Sequence, residues 1–170
     1  HLRVVAERAF AKIEEALSNG TDDIAQNFLR QIIADPAFEQ FTAMPEGAFP
    51  VALLSQAQQQ LIGARTRIVA LPGQVYRKQL GEFPAISSGH PELSVGDYRL
   101  LPDIIDRAAV IAQQGDRRLI YFADTAGRWW KVVVRQDTGE KYPIVISFHR
   151  SRVRNIAAET RGLQLLLDNR

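Results

Sequence analysis

The chain is 170 residues long, 46% hydrophobic and 24% charged, with 11 glycines and 8 prolines, an ordinary globular composition that excludes disorder, collagen and low-complexity repeats. It has no cysteine, which excludes a disulfide-stapled scaffold, a thiolate zinc site, an iron–sulfur cluster and a cysteine nucleophile; nor does any apolar run approach the roughly 18 residues of a membrane span. The net charge of +2 hides an uneven spread: residues 1–63 hold four Lys/Arg against eight Asp/Glu, and residues 117–154 hold nine against three.

The chain opens on His1 without an initiator Met or a visible signal peptide, as an excised fragment with a tag remnant would. Leu2, Val5, Ala9, Phe10, Ile13, Ala16 and Leu17 recur at helical spacing up to Asn19-Gly20, which predicts a first helix. Thr21 or Asp22 caps a second, with Ile24, Phe28, Leu29, Ile32 and Ile33 inward and Asp35-Pro36 as its stop. Pro50 suits the first turn of a third, carrying Val51, Leu54, Leu61 and Ile62. The period then changes. Residues 66–71 alternate and read as a first strand, Gln74 to Leu80 as a short helix, and 83–89 as a loop. Leu93 to Ala108 reads as a helix that Pro102 kinks or restarts. Three strand-like runs follow, 118–123, 129–135 and 142–149, joined by turns at Asp124-Thr125-Ala126-Gly127 and Asp137-Thr138-Gly139-Glu140. A final helix is expected over 152–168. The fold class is therefore α+β: an N-terminal helical region (1–63), then helices packed on a small antiparallel sheet of about four strands (64–170).

The basic excess falls on that sheet. A basic sheet beside an acidic helical region is a footprint of nucleic-acid binding, and equally what a solvated sheet face carries. No HExxH, GxSxG, Walker or GxGxxG pattern is present, and His90 and His149 fit no metal-ligand spacing. Period-2 alternation puts Lys131, Val133 and Arg135 on one sheet face, with Trp130, Val132 and Val134 on the other. Ser147 and His149 share a face on the last strand, with Ile146 and Phe148 opposite, and Arg150, Arg152 and Arg154 follow. A histidine with Lys, Ser and Arg on a sheet is a kit for metal-independent RNA cleavage. One group takes the proton of the ribose 2′-OH, another protonates the 5′-oxygen, and cations stabilise the charge on phosphorus.

His90 lies in Ser87-Ser88-Gly89-His90-Pro91-Glu92-Leu93, ahead of Asp97-Tyr98 and Leu101-Pro102-Asp103-Ile104-Ile105. Together with the strand Ile68-Val69-Ala70-Leu71-Pro72, the aromatic strand Trp129 to Val134 and the closing Ile146-Ser147-Phe148-His149-Arg150, this order of elements resembles the phage-associated nuclease domains of the barnase–EndoU–colicin–RelE superfamily. Such domains occur at the C-terminus of phage Mu-type head-morphogenesis (minor capsid) proteins and in polymorphic toxins. The resemblance covers about half the chain, from Arg67 to Arg154, and departs from the family at Pro72, where a small hydroxyl residue is expected. It implies helices on a four-stranded antiparallel sheet and a ribonuclease acting as a toxin or phage-delivered effector. In that reading His90 is the general acid/base, Lys131 and Arg135 hold the scissile phosphate, and Ser147 orients it. Arg150 and Arg152 add phosphate contacts, and His149 is the reserve catalytic residue. No cofactor or metal is implied. The partners are RNA, tRNA included, and an immunity protein or phage structural protein; the site of action is cytoplasmic, with a virion-associated or larger parent protein as the source. The rival expectation is a non-catalytic phage head or assembly module that holds protein or nucleic acid on the same basic sheet.

Overall fold

A computed structural model describes residues 2–40, 47–79 and 93–170. The helical periodicity at the start of the chain produces α1 (Leu2–Ser18) and α2 (Asp22–Ala34), followed by the single turn α3 (Ala37–Gln40). α1 and α2 bury Phe10, Ile13, Ala16, Ala25 and Leu29 together.

The run 48–53 then departs from the helical expectation. Ala-Phe-Pro-Val-Ala-Leu forms a strand, β1 (Ala48–Leu53), and the helix begins later, as α4 (Gln56–Leu61). Pro50 is tolerated because β1 is an edge strand and its ladder slips by one residue between Pro50 and Ala52. Ser55 fixes the start of α4 through a capping box with Gln58.

β2 (Ile68–Pro72) and α5 (Gly73–Gln79) agree with the sequence, and Pro102 divides the next helical stretch into α6 (Val95–Tyr98) and α7 (Leu101–Asp106). The strands that follow are β3 (Val110–Gln114), β4 (Arg118–Thr125), β5 (Arg128–Arg135) and β6 (Ile144–Ser151). The expected final helix is only α8 (Val153–Glu159). Gly162, at a φ of 77°, turns the chain out of it and into β7 (Gln164–Asp168).

These seven strands form one sheet in the order β1-β2-β6-β5-β4-β3-β7, three more than the four expected. The predicted meander β4-β5-β6 is antiparallel, but the sheet is mixed: β2 runs parallel to β6, meeting it at Ala70 and Ile144. The long connection between β2 and β6 is what permits a parallel pair. Residues 63 and 64 fall between β1 and β2, which pair with one another.

Helices cover both faces. On one, Tyr76, Tyr98, Leu101, Ile104 and Ile105 pack against Val69, Leu71, Tyr121, Trp130, Val132 and Phe148, with the edge-to-face pairs Tyr76–Tyr98 and Tyr98–Phe148. On the other, α1 and α2 cover Ile68, Ala70 and Ile144, while α8 puts Ile156 over Val110, Phe122 and Val133. No helix among the described residues is long and apolar enough to cross a membrane.

Candidate functional site

The β4–β5 hairpin closes with two residues, Ala126 and Gly127, between the paired Thr125 and Arg128. Both have positive φ, 54° and 72°, the geometry of the tight turn whose twist matches the strands it joins. It delivers Arg128 and Trp129 to one end of the sheet. There Trp129 lies directly across from Ser151, and Lys131 across from His149. Residues opposite each other in an antiparallel pair share a face, so these four side chains form a patch on the face that α8 covers. Arg152 sits just ahead of α8, and Asn155 and Glu159, one helical turn apart, look along the same side of it.

The groove between this hairpin end and α8 has a volume of about 730 Å³ and is lined by Arg128, Trp129, His149, Arg150, Ser151, Arg152, Asn155 and Glu159, among others. His149 Nδ1 lies 2.8 Å from the Arg150 carbonyl oxygen. A carbonyl only accepts, so Nδ1 carries the proton and Nε2 is the basic nitrogen of the neutral ring. Lys131 Nζ lies 3.3 Å from Glu159 Oε2, an ion pair without the direction of a hydrogen bond, with the lysine side chain 19% and the glutamate 31% exposed. Ser151 Oγ is buried and has no hydrogen-bond partner among the described residues.

The seven residues singled out in the sequence are therefore dispersed. His149, Arg150 and Arg152 line the groove, and Lys131 adjoins it through Glu159. Ser147 lies one step further along the same face, opposite Val133. Arg135 sits at the far end of β5, where its guanidinium is engaged by the Asp137 carboxylate, one contact at 3.1 Å. Four residues of about 3.3 Å rise separate it from Lys131, and each cation is turned to its own carboxylate, Asp137 and Glu159, so the two do not converge on one phosphate. His90 lies outside the described residues. The face assignments on β5 agree with the alternation; on β6 the ladder slips between Val133 and Val134, which brings Ile146 in against the cluster under α8 rather than opposite Ser147.

Glu159, Trp129, Arg128, Ser151 and Asn155 were not picked out from sequence. For Trp129 the available signal was the β5 alternation, which puts it on the face of Lys131. Glu159 gave no such signal, because its approach to Lys131 depends on where α8 docks.

A second groove, of about 480 Å³ between α2, α4 and α7, also carries arginines. There Arg30 is bound to Asp103 at 2.7 Å, and Arg67 to both Asp22 oxygens and the Leu54 carbonyl. Those charges are already neutralised within the fold. Among the described residues no group of three or more His, Cys, Asp or Glu is arranged to hold a metal ion. Comparison with known proteins found no matching family model, curated protein or solved structure.

Proposed function

We propose that the chain is a metal-independent endoribonuclease whose RNA lies in the groove between the β4–β5 hairpin, the end of β6 and α8. The observation that carries this reading is a histidine and a carboxylate, His149 and Glu159, lining one groove with Arg128, Arg150 and Arg152. The arginines supply charge for phosphates, and the His–Glu pair supplies a proton acceptor and a proton donor. One of the pair removes the 2′-OH proton as that oxygen attacks phosphorus. The other protonates the departing 5′-oxygen as the P–O5′ bond breaks, giving a 2′,3′-cyclic phosphate and a free 5′-hydroxyl. Lys131, held beside Glu159, stabilises the charge on phosphorus. The nuclease-superfamily resemblance implies His90 as the acid/base, which makes it the alternative to His149 as the histidine of the His–Glu pair. The chemistry belongs to 64–170, and 1–63 supplies packing. A toxin or phage-delivered effector acting on cytoplasmic RNA is the setting that the resemblance supports.

One observation favours the second reading, a nucleic-acid-holding module that cuts nothing: the Lys131–Glu159 pair engages the carboxylate internally. The purified chain incubated with RNA in EDTA separates the two. The nuclease reading expects cleavage to products ending in a cyclic phosphate, DNA bound but uncut, and a rate loss of about 10²–10⁴ in His149→Ala or His90→Ala with RNA binding retained. RNA retained in a salt-dependent way and left intact removes the nuclease reading.

A further inference from the structure

We infer that the groove takes one unpaired nucleotide, its base stacked on Trp129, so that the ligand is single-stranded RNA and not a duplex. This rests on the proposed RNA groove and names what the groove recognises.

Trp129 is half-buried. It packs against the cluster of Phe122, Val133 and Ile156, and it also lines the groove. A ring braced on one side and open on another is a stacking surface that loses little freedom when a base arrives. Directly across the ladder stands Ser151, whose buried Oγ has no hydrogen-bond partner among the described residues. A buried hydroxyl left without a partner is unfavourable, and a ligand polar group would satisfy it. Asn155, on the α8 side, offers both a donor and an acceptor, the pair of functions that a base edge presents. Arg128, next to Trp129 on β5, and Arg152, between β6 and α8, line the same groove and supply charge for a backbone. A base can stack on a side chain only if it has left its own stack, and that condition is met in single strands, loops and bulges, not inside a helix.

The chain carries its own reporter. Of its two tryptophans, Trp130 is 1% exposed, with Nε1 donating to the Thr125 carbonyl, so a ligand-dependent change in emission reports Trp129. The probe is a 2′-O-methyl RNA oligonucleotide of about ten nucleotides, within the range of single-strand site sizes. It has no free 2′-OH and cannot be cleaved by 2′-oxygen attack. Titrating the whole chain, we expect saturable quenching by the single strand and weaker binding to the same strand annealed to its complement. Trp129→Ala should lose roughly 5- to 150-fold in affinity, and Trp129→Phe should recover most of it, with the salt dependence unchanged in both. Equal affinity for single strand and duplex overturns the inference, as does tight binding without quenching, or binding by Trp129→Phe no better than by Trp129→Ala. Cleavage plays no part in this readout. Quenching and strand selectivity together with intact natural RNA would sink the nuclease reading and leave this one standing; cleavage of duplex and single strand alike would do the reverse.

Discussion

Ala126 is the described non-glycine residue with positive φ, and it sits at the turn that aims Arg128 and Trp129. A left-handed alanine costs roughly 1 kcal/mol because its Cβ crowds the next carbonyl oxygen, a cost that asparagine or glycine reduces. Ala126→Asn is expected to raise stability by about 0.5–1 kcal/mol in a urea titration, with RNA binding unchanged. The Lys131–Glu159 pair is a different case. The two side chains are partly exposed, so solvent weakens their attraction, and a double-mutant cycle with Lys131→Met and Glu159→Gln should give a coupling of no more than about 1 kcal/mol. A larger coupling would mean that the pair is structural and strengthen the non-catalytic reading. The ion pair between Asp22 and Arg67 carries a pH dependence. The hydrogen bond from the Arg67 guanidinium holds the Asp22 carboxyl below the usual carboxylate range. A depressed folded-state value means the contribution is present above the unfolded value and lost as pH falls through the folded one. Wild type should therefore exceed Asp22→Asn slightly in stability near neutrality, and the difference should vanish in strong acid. The effect is small because Asp22 is 62% exposed.

Elements differ in how much of them can be read from the chain. α1, α2, α5 and the meander β4-β5-β6 follow their periodicities because each buries one face, and the spacing of apolar residues records which. β1 and β7 do not. Val51-Ala52-Leu53-Leu54 and Leu165-Leu166-Leu167 are short continuous apolar runs, which a buried helix and a strand share. Pro50 argued for a helix start, and leucine is a good helix former. What decides them is the sheet edge each one completes, at Phe49–Leu71 and Ile111–Leu167, and that lies far off in sequence. The groove was legible on β5 and β6, where alternation fixes faces, and illegible at α8, whose docking angle no local pattern records. Since β1, α1 and α2 cover Ile68, Ala70 and Ile144, a fragment starting near residue 64 exposes that core. Such a fragment is expected to show no cooperative thermal unfolding by circular dichroism; a cooperative transition would mark 64–170 as self-sufficient. Ser55→Ala, which removes the α4 cap, should by contrast cost only about 1 kcal/mol.

Across the molecule, the basic excess of residues 117–154 is not spread evenly over the surface. Arg135 is held by Asp137, Lys131 by Glu159 and Lys141 by Glu14, while Arg128, Arg150 and Arg152 gather along the groove. Replacing Arg128, Arg150 and Arg152 together by Glu should lower RNA affinity by more than tenfold and reduce the salt slope by about 2, given roughly 0.7 per single-strand phosphate contact. An unchanged slope would place the interface elsewhere.

The junction of β2 and β6 bears on the order in which the chain assembles. β3, β4, β5 and β6 are joined by short connections and can pair as the chain collapses, whereas β2 meets β6 through one register pair, Ala70 with Ile144, across the longest loop in the sheet. Closing that loop is entropically the most demanding step and belongs after the transition state. Ile68→Val, in β2, should then accelerate unfolding and leave the folding rate nearly untouched. Val132→Ala, in the middle of the meander, should slow folding, with a φ-value of about 0.5 or more. The end of the meander that carries Arg128 and Trp129 on β5 and His149 on β6 would thus be in place while the β1–β2 side of the chain is still open.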